Sequence, residues 1–359
     1  MSYVPGAEWE AREPAALGLA PDALVAAAEY HRAHESTWPR NFITRSGRYI
    51  GVEDEPEDSV VLGPVRGRGG PNGIVLHRGY IVAEWGDTGR ADMTFSVAKS
   101  YLSFLAGRAV DRGLIRNVDD PAHAYALDDG FASPHNREIT WRHLLQQTSE
   151  WQGTLWDKPD SIDHNRDVGK SELGYAKKGT PRPMRAPGTL WEYNDVRVNR
   201  LSLALLHVFR EPLDAVLRRE VMDPIGASAA WAWQPYANSW VEIDGRRTPS
   251  VPGGSHWGGG LWMSTRDHAR FGLLVSRRGQ WGARPIVSPA WVDEIRRPCA
   301  LNPQYGLLWW LYADGTFAAR GAGSNVIWID PARDLVAVVR WIDKPYFDGF
   351  VKLVAASVR

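Results

Sequence analysis

Phe95-Ser-Val-Ala-Lys-Ser-Tyr-Leu-Ser-Phe-Leu-Ala-Gly-Arg-Ala-Val110 is the part of the chain from which both the fold and the chemistry are first predicted. Small and apolar residues recur in it at helical spacing, and Gly113 follows as a helix stop. This pattern predicts a buried helix over residues 95–110. Ser96 stands in its first turn, where backbone N–H groups have no partner within the helix and the helix dipole is positive.

Ser96 and Lys99 form an S-x-x-K pattern at the start of this helix. Residues three apart lie on one helix face, so the amine of Lys99 can reach the Ser96 hydroxyl. A serine is a weak nucleophile until a base takes its proton, and a desolvated lysine with a lowered pKa can share that role. The alternative is a helix cap beside a lysine that reaches solvent. Apolar neighbours such as Phe95 and Leu102 make an unpaired charge costly there, which favours the catalytic interpretation.

Trp191-Glu-Tyr-Asn-Asp195, which follows the turn at Gly188-Thr189, is the second candidate segment. It places Tyr193 on a loop just before a helical pattern. A nearby ammonium group lowers the pKa of a phenol, and the phenolate can then act as a base toward a serine. Taken alone, the segment favours a structural tyrosine. Tyr193 becomes a catalytic candidate only together with Ser96 and Lys99.

Two glycine-rich segments complete the candidate site. Arg320-Gly-Ala-Gly-Ser-Asn325 lies between two strand-like runs, and small residues there allow an edge-strand N–H to join that of Ser96 in an oxyanion hole. The alternative is a plain turn. Gly253-Gly-Ser-His-Trp-Gly-Gly-Gly260 is either a loop lining the site or a hinge. Its histidine, His256, has no partner at metal-ligand spacing, so we expect it to be structural or to contact substrate.

Strand patterns occur at both ends of the predicted core, with helical patterns between them. Residues 73–85 hold two β-branched runs around Arg78-Gly79, which predicts a hairpin. Further strands are predicted at residues 305–311, 315–320, 325–329 and 335–341. We therefore expect one sheet assembled from both ends of the chain, with a helical lobe inserted. The predicted division is an N-terminal arm with loops packed on the core (1–60), a sheet domain (61–120 and 241–359) and a mainly helical lobe (121–240).

Composition excludes several classes of protein. The chain has 42 basic and 42 acidic residues, without the cationic excess of nucleic-acid-binding or membrane-binding proteins. The single cysteine, Cys299, excludes an intramolecular disulfide and argues against Cys-ligated zinc. G-x-S-x-G, G-x-x-x-x-G-K-[ST] and H-E-x-x-H motifs are missing, which argues against an α/β-hydrolase elbow, nucleotide chemistry and zinc chemistry. The first 14 residues do not resemble a secretory signal and no apolar run reaches the length of a membrane span, so we expect a cytoplasmic protein.

Five segments, taken in order, resemble the β-lactamase-related serine hydrolases. This group includes class C β-lactamases, DD-peptidases, family VIII carboxylesterases and 6-aminohexanoate-dimer hydrolases. The resemblance extends from about residue 73 to the C-terminus and is carried by Phe95-Ser-Val-Ala-Lys-Ser100, Leu144-Leu-Gln-Gln-Thr-Ser149, Pro187-Gly-Thr-Leu-Trp-Glu-Tyr193, Gly258-Gly-Gly-Leu-Trp-Met-Ser264 with Asp267, and Ile329-Asp-Pro331.

The resemblance implies an α/β fold of the α+β type, β-lactamase/transpeptidase-like. Its antiparallel sheet is flanked by helices, and the site lies in the cleft beside the inserted helical lobe. It also implies that Ser96 is acylated, that Lys99 and Tyr193 transfer the proton, and that the backbone at Gly321-Ala322 supplies an oxyanion donor.

The sequence departs from the lactamase pattern at two places. The family's Y-x-N is Tyr193-Asn-Asp195 here, and Ala319 or Arg320 stands where the third motif usually has Lys or His. A cationic anchor for a substrate carboxylate is thus lost or moved, and cell-wall substrates lie outside the cytoplasm. We therefore rank an esterase or amidase above a β-lactamase or DD-peptidase-like penicillin-recognising enzyme. A non-catalytic binding protein on the same fold is the alternative from another class.

The resulting hypothesis is a serine hydrolase that forms an acyl-enzyme without a metal or cofactor. Its predicted partner is a small-molecule ester or amide, with neither nucleic acid nor membrane, and a homodimer stays open beside a monomer. The predicted catalytic residues are Ser96, Lys99, Tyr193 and Ala322, the last through its backbone N–H. The predicted substrate-binding residues are Trp151, Asp195, His256, Trp257, Gly321 and Gly323.

Overall fold

A six-stranded antiparallel sheet forms the centre of the computed structural model, which describes residues 3–6, 8–50, 60–168 and 176–359. Its strands, in spatial order, are β12 (Trp310–Leu311), β13 (Phe317–Gly321), β14 (Asn325–Asp330), β15 (Leu335–Arg340), β1 (Asn72–His77) and β2 (Tyr80–Trp85). The last strand of the sheet pairs with the first, with Val75 opposite Ala337. The prediction of one sheet assembled from both ends of the chain is confirmed.

The hairpin between β1 and β2 forms where the sequence predicts it. Arg78 and Gly79 occupy its turn with φ values of 53° and 89°. Two successive positive φ values are typical of the tight turns that match the twist of antiparallel strands. Strand β2 therefore pairs with β1 immediately after the turn, with His77 opposite Tyr80.

Helices cover both faces of the sheet, and its central strands are therefore buried on both sides. Helix α1 (Pro21–Ala33) and helix α8 (Phe347–Ala355) pack on the face that includes Val75 and Ala337. Helix α2 (Val97–Asp111) and helix α6 (Thr265–Ser276) pack on the opposite face, which includes Ile74, Leu76, Val336 and Val338. The alternation of neighbouring strand residues between the two clusters is the two-residue period of a β-strand.

Shorter elements lie between and around these layers. The remaining helices are α3 (Trp141–Leu145), α4 (Asp195–Phe209), α5 (Leu213–Leu217) and α7 (Pro289–Ile295), with short helical turns at Pro14–Leu17, Ala122–Tyr125, Asn136–Glu138, Asp160–Asp163, Arg218–Met222 and Lys344–Tyr346. The remaining strands are β3 (Asp92–Met93), β4 (Thr154–Leu155), β5 (Lys158–Pro159), β6 (Ala232–Gln234), β7 (Trp240–Ile243), β8 (Arg246–Pro249), β9 (Gly260–Met263), β10 (Gln280–Trp281) and β11 (Arg284–Pro285).

The predicted division into arm, sheet domain and lobe stays a prediction. Residues 121–240 contain α3, α4 and α5 together with the short strands β4, β5 and β6. Within the predicted arm, helix α1 packs on the sheet, and residues 51–59 lie outside the described residues. No helix in the described part of the chain is long and apolar enough to cross a membrane.

One predicted strand differs from the structure. The apolar run at residues 305–311 forms a strand only at Trp310–Leu311. Leu308 has a φ of 62°, which interrupts extended backbone, and its carbonyl accepts a hydrogen bond from the Ser100 hydroxyl at 2.8 Å. Leu307, Leu308 and Trp309 are nonetheless buried. The run is apolar because it packs under α2, and an apolar run of this length does not by itself distinguish a strand from a buried loop.

Candidate active site

Ser96 lies immediately before helix α2, at its N-cap position. The turn that places it there includes Phe95, whose φ of 50° is uncommon for a residue with a side chain. The Phe95 ring is packed against aromatic neighbours, with ring centroids 5.7 Å from Trp257 and 5.6 Å from Trp38. This packing holds the sharp turn, and Ser96 is thereby presented at the start of the helix.

Lys99 is buried one helical turn after Ser96 and makes three close polar contacts. Its Nζ donates hydrogen bonds to Ser96 Oγ at 2.8 Å and to the carbonyl of Gly253 at 2.7 Å. The third contact is an ion pair with Asp195, in which Nζ lies 2.8 Å from Oδ1. The sequence-based prediction that Lys99 reaches the Ser96 hydroxyl therefore agrees with the geometry.

The charge of Lys99 differs from the sequence-based expectation. Burial by itself lowers the pKa of the amine, but the nearby Asp195 carboxylate outweighs burial, and the pKa of Lys99 is raised above its ordinary value. The expectation of a lowered pKa is corrected for this reason: it considered the apolar helix around the lysine and not the carboxylate that reaches it from another segment. The ion pair with Asp195 thus favours the ammonium form of Lys99.

Asp195 begins helix α4 and bridges two cations. Its Oδ2 lies 2.7 Å from Arg166 Nη1, while its Oδ1 faces Lys99. Burial by itself raises the pKa of Asp195, but the charges of Arg166 and Lys99 outweigh burial and hold the pKa below its usual value. The carboxylate predicted to contact substrate is thus already engaged by protein cations.

Tyr193 lies two residues before α4 with its aromatic ring between the cations and a wall of aromatic side chains. Lys99 Nζ lies 5.0 Å from the ring centroid, and Arg166 Cζ lies 5.4 Å from it. On the other side the ring stacks on Trp310, with centroids 6.0 Å apart. Tyr193 is almost fully buried and lines the same cavity as Ser96.

The end of strand β13 lies beside Ser96. A Cβ built on Gly321 would lie 2.2 Å from the carbonyl oxygen of Thr94 and 3.2 Å from the nitrogen of Ser96, so only glycine fits at this position. Strand β12 pairs with β13 only at Phe317 and Ala318, so the strand has a free edge where it meets the site. Ala322 follows in the turn, and its N–H and that of Ser96 have no backbone acceptor among the described residues. Two such donors at one place fit an oxyanion hole.

Two cavities meet at Ser96. The smaller one, of about 330 Å³, and the larger one, of about 560 Å³, are both lined by Trp38, Ser96, Arg166 and Ala322. Asp195, His256 and Trp257 line the smaller cavity, whereas Tyr193, Gly321 and Gly323 line the larger. Trp151 lines neither cavity: it is 3% exposed, and its indole nitrogen donates to the carbonyl of Gly130 at 2.7 Å.

The glycine-rich segment at residues 253–260 lines the smaller cavity. Its Gly254 has a φ of 154°, and a Cβ built there would lie 2.5 Å from Cγ of Asp195. The segment therefore requires glycine so that its backbone can pack against the carboxylate. His256 Nε2 donates a hydrogen bond to the carbonyl of Trp156, 2.6 Å away. No group of three or more His, Cys, Asp or Glu side chains within the described residues is arranged to hold a metal ion.

Sequence reasoning missed several residues that line the two cavities. Arg166 is the most consequential, and Lys158, Tyr236, Gln304 and Trp310 are others. Arg166 lies in a loop with no recognisable motif, so no sequence signal identifies it. For Trp310 a signal exists, since an aromatic residue stands near the end of the run predicted as a strand, but aromatic residues mostly report packing.

The family model for Beta-lactamase matches residues 85–349, which is more than half of the chain. This chain belongs to the β-lactamase family. The matched range includes Ser96, Lys99, Tyr193 and Ala322, and a search of curated proteins finds no match. The family assignment confirms the resemblance predicted from the five sequence segments.

Several solved structures share the fold at low sequence identity. A penicillin-binding protein homologue from Caulobacter crescentus is 16% identical with a TM-score of 0.61, and the match covers 95% of this chain and 99% of that one. A Bacillus anthracis protein assigned as a 6-aminohexanoate-dimer hydrolase is 15% identical with a TM-score of 0.56, covering 79% and 77%. A D-stereospecific amidohydrolase from Streptomyces is 14% identical with a TM-score of 0.54, covering 80% and 93%.

The likenesses establish the predicted fold class, an antiparallel sheet with helices of the β-lactamase/transpeptidase type. Together, the β-lactamase-family domain and the hydrolase neighbours support a serine hydrolase family and hydrolase activity. At these identities the neighbours carry no information about which bond is cleaved.

Proposed function

We propose that this β-lactamase-family protein cleaves a small ester or amide through an acyl-enzyme formed on Ser96. The observation that carries the proposal is the hydrogen bond of 2.8 Å from Lys99 Nζ to Ser96 Oγ at the place where the two cavities meet. A buried cation next to a hydroxyl favours its negatively charged form, and that is the form in which serine attacks a carbonyl carbon.

In the proposed reaction, Tyr193 acts as a phenolate: Ser96 Oγ attacks the substrate carbonyl carbon while the Ser96 proton passes to the phenolate oxygen of Tyr193. The carbonyl electron pair moves onto oxygen, which the N–H groups of Ser96 and Ala322 stabilise. The tetrahedral intermediate then collapses, the bond to the leaving alcohol or amine breaks, and the proton is returned to the leaving group. Water attacks the acyl-enzyme by the same route and releases the acid.

The proposed substrate has a group on each side of the scissile bond, since a cavity extends from Ser96 in two directions. An ester or amide ranks above a β-lactam because Ala319 stands in the third motif where penicillin-recognising enzymes usually carry a cation. Arg320, the next residue, lines the larger cavity, but its guanidinium is also engaged by other side chains. Its guanidinium contacts the Tyr312 hydroxyl at 3.3 Å and lies 5.2 Å from the ring centroid of Phe347.

The proposal is tested by intact-mass analysis after incubation with a fluorophosphonate, with turnover of p-nitrophenyl esters, p-nitroanilides and nitrocefin measured in parallel. We expect one adduct in the native protein and none in Ser96→Ala. Ser100→Ala is the matched control, since that hydroxyl lies one position after Lys99 but bonds to the carbonyl of Leu308, outside both cavities. Absence of an adduct and of turnover would favour a binding protein, and turnover of nitrocefin alone would favour the penicillin-recognising alternative.

A further inference from the structure

Asp195 separates this site from the Y-x-N pattern of its relatives, because a carboxylate stands where the pattern has an amide. The residue has three partners on two other segments, and two of the three contacts are made by its carboxylate. It lies 2.8 Å from Lys99 Nζ and 2.7 Å from Arg166 Nη1, and its backbone N–H donates to Asp163 Oδ2 at 2.8 Å. Its side chain is 10% exposed. The position is therefore enclosed and its orientation is determined by partners on both sides.

We propose that Asp195 is a positioning residue that keeps Lys99 in its ammonium form, so that Lys99 orients and stabilises the Ser96 oxygen and does not receive its proton. The inference rests on the proposed function for its catalytic meaning. The arrangement of charges on which it depends is independent of any substrate.

The close partners of Lys99 Nζ fit a protonated amine. An ammonium nitrogen has three N–H donors and no lone pair. Here the three close partners are Ser96 Oγ, the carbonyl of Gly253 and the carboxylate of Asp195. The carbonyl and the carboxylate only accept, whereas the Ser96 hydroxyl can accept or donate. What favours the ammonium form is the ion pair, because a neutral amine would remove one of the two cations in contact with the buried Asp195 carboxylate.

The other charged and titratable groups near the pair are few and leave Asp195 as the carboxylate in contact with Lys99. Arg166 and Tyr193 face both Lys99 and Asp195. Asp163 lies behind Arg166, with Lys178 Nζ 3.6 Å from its Oδ1. Groups that stand farther away are Lys158, Tyr236 and Tyr305, of which Lys158 and Tyr236 line the smaller cavity. Arg166 repels Lys99, so the attraction that retains the ammonium comes chiefly from Asp195, with a smaller contribution from Tyr193.

This arrangement determines where each proton goes during the proposed acylation. The O–H bond of Ser96 breaks and an O–H bond forms on the Tyr193 phenolate, which becomes a neutral phenol, while Oγ bonds to the carbonyl carbon and the carbonyl electron pair moves to oxygen. Lys99 keeps its three protons throughout, and its N–H group stabilises the developing negative charge on Oγ. In this role Asp195 acts on the reacting oxygen through Lys99.

Asp195→Asn tests the proposal because it removes the charge and preserves the shape. The chain has seven lysines, so lysine ¹³Cε NMR can follow each amine through a pH titration, with Lys99→Arg identifying the signal of Lys99. We expect Lys99 to stay protonated throughout the physiological range in the native protein and to lose its proton at least about one pH unit lower in Asp195→Asn. Arg166→Gln is the matched control, since it breaks the other ion pair of Asp195 and should leave Lys99 protonated.

Enzyme kinetics supply a second readout. The expected change of kcat/KM in Asp195→Asn is opposite for Lys99 as an ammonium ion and for Lys99 as the base. If Lys99 must be an ammonium ion, kcat/KM of Asp195→Asn falls at alkaline pH, where the native enzyme stays active, and Asp195→Glu restores activity in part. If Lys99 is instead the base, Asp195→Asn becomes more active at neutral or alkaline pH, which overturns the proposal.

The proposal is also overturned if Lys99 titrates at the same pH in a folded Asp195→Asn protein as in the native protein. Thermal unfolding checks that the variant is folded. Should Asp195→Asn not fold, Asp195→Ser also removes the carboxylate and should make Lys99 lose its proton at a lower pH than in the native protein, and an unchanged Lys99 titration there overturns the proposal. Since NMR needs no turnover, failure of this inference is distinguishable from failure of the hydrolase proposal, which the fluorophosphonate adduct tests.

Discussion

Replacing Glu150 by Gln probes the buried charges that support the segment carrying Tyr193 and Asp195. Glu150 is fully buried, and its carboxylate accepts hydrogen bonds from Arg182 Nη1 at 2.7 Å and from Arg197 Nη1 at 2.8 Å. Arg197 lies in the first turn of α4, where it also contacts Glu192 at 3.0 Å. The acid at position 150 therefore links the loop after α3 to the start of the helix that holds Asp195.

The size of the effect follows from the pKa of Glu150. Burial by itself raises this pKa, but the hydrogen bond from Arg182 and the charge of Arg197 outweigh burial and lower it from 4.5 to about 2. A carboxylate with a lowered pKa in the folded state stabilises the protein above its unfolded pKa, and this stability is lost as the pH falls through the folded pKa. The difference corresponds to about 3 kcal/mol of unfolding free energy, present above about pH 5 and lost by about pH 2.

The assay is urea unfolding of the native protein and of Glu150→Gln, followed by tryptophan fluorescence at several values between pH 7 and the acid limit of folding. We expect the native protein to be more stable at pH 7 by about 3 kcal/mol, with the difference shrinking as the pH falls below about 4.5. Glu138→Gln, at an exposed position, is the control. Its unfolding free energy should differ from that of the native protein by the same amount at every pH. If the unfolding free energies of the native and Glu150→Gln proteins change in parallel from about pH 5 to about pH 2.5, Glu150 does not supply this pH-dependent stability.

Two further substitutions test the site itself. Tyr193→Phe removes the phenol oxygen and keeps the ring that stacks on Trp310, so kcat/KM of ester hydrolysis should fall by about 10²- to 10⁴-fold with little change in thermal stability. Unchanged turnover would exclude Tyr193 as the proton acceptor. Gly254→Ala would place a Cβ 2.5 Å from Cγ of Asp195 at a φ of 154°, which should lower the unfolding free energy by about 1–3 kcal/mol and reduce turnover. Gly315→Ala, with a φ of 84° and open space around it, measures the cost of the backbone conformation alone, and an equal loss in both variants would argue against the contact with Asp195.

The parts of the fold that the sequence predicts are those with a local signature. The turn at Arg78-Gly79 sets its own backbone conformation, and the helix after Ser96 shows its apolar positions and its stop within one segment. Strands β14 and β15 lie where the β-branched runs predict them. The run at residues 305–309 was not predictable in the same way, because apolar character reports burial and does not report the shape of the backbone.

The contacts of the candidate site are of the same two kinds, those that follow from local sequence and those that depend on the tertiary structure. The contact between Ser96 and Lys99 depends on residues three apart in one helix, so spacing alone determines it. The partners that decide the charge of Lys99 come from elsewhere: the carbonyl of Gly253 is 154 positions away in sequence, and Asp195 and Arg166 belong to two further segments. A lysine in an apolar helix loses its proton or keeps it according to the charges that folding brings within about 3 Å. Tertiary structure alone decides that balance, because electrostatic attraction depends on distance through space and not on separation along the chain.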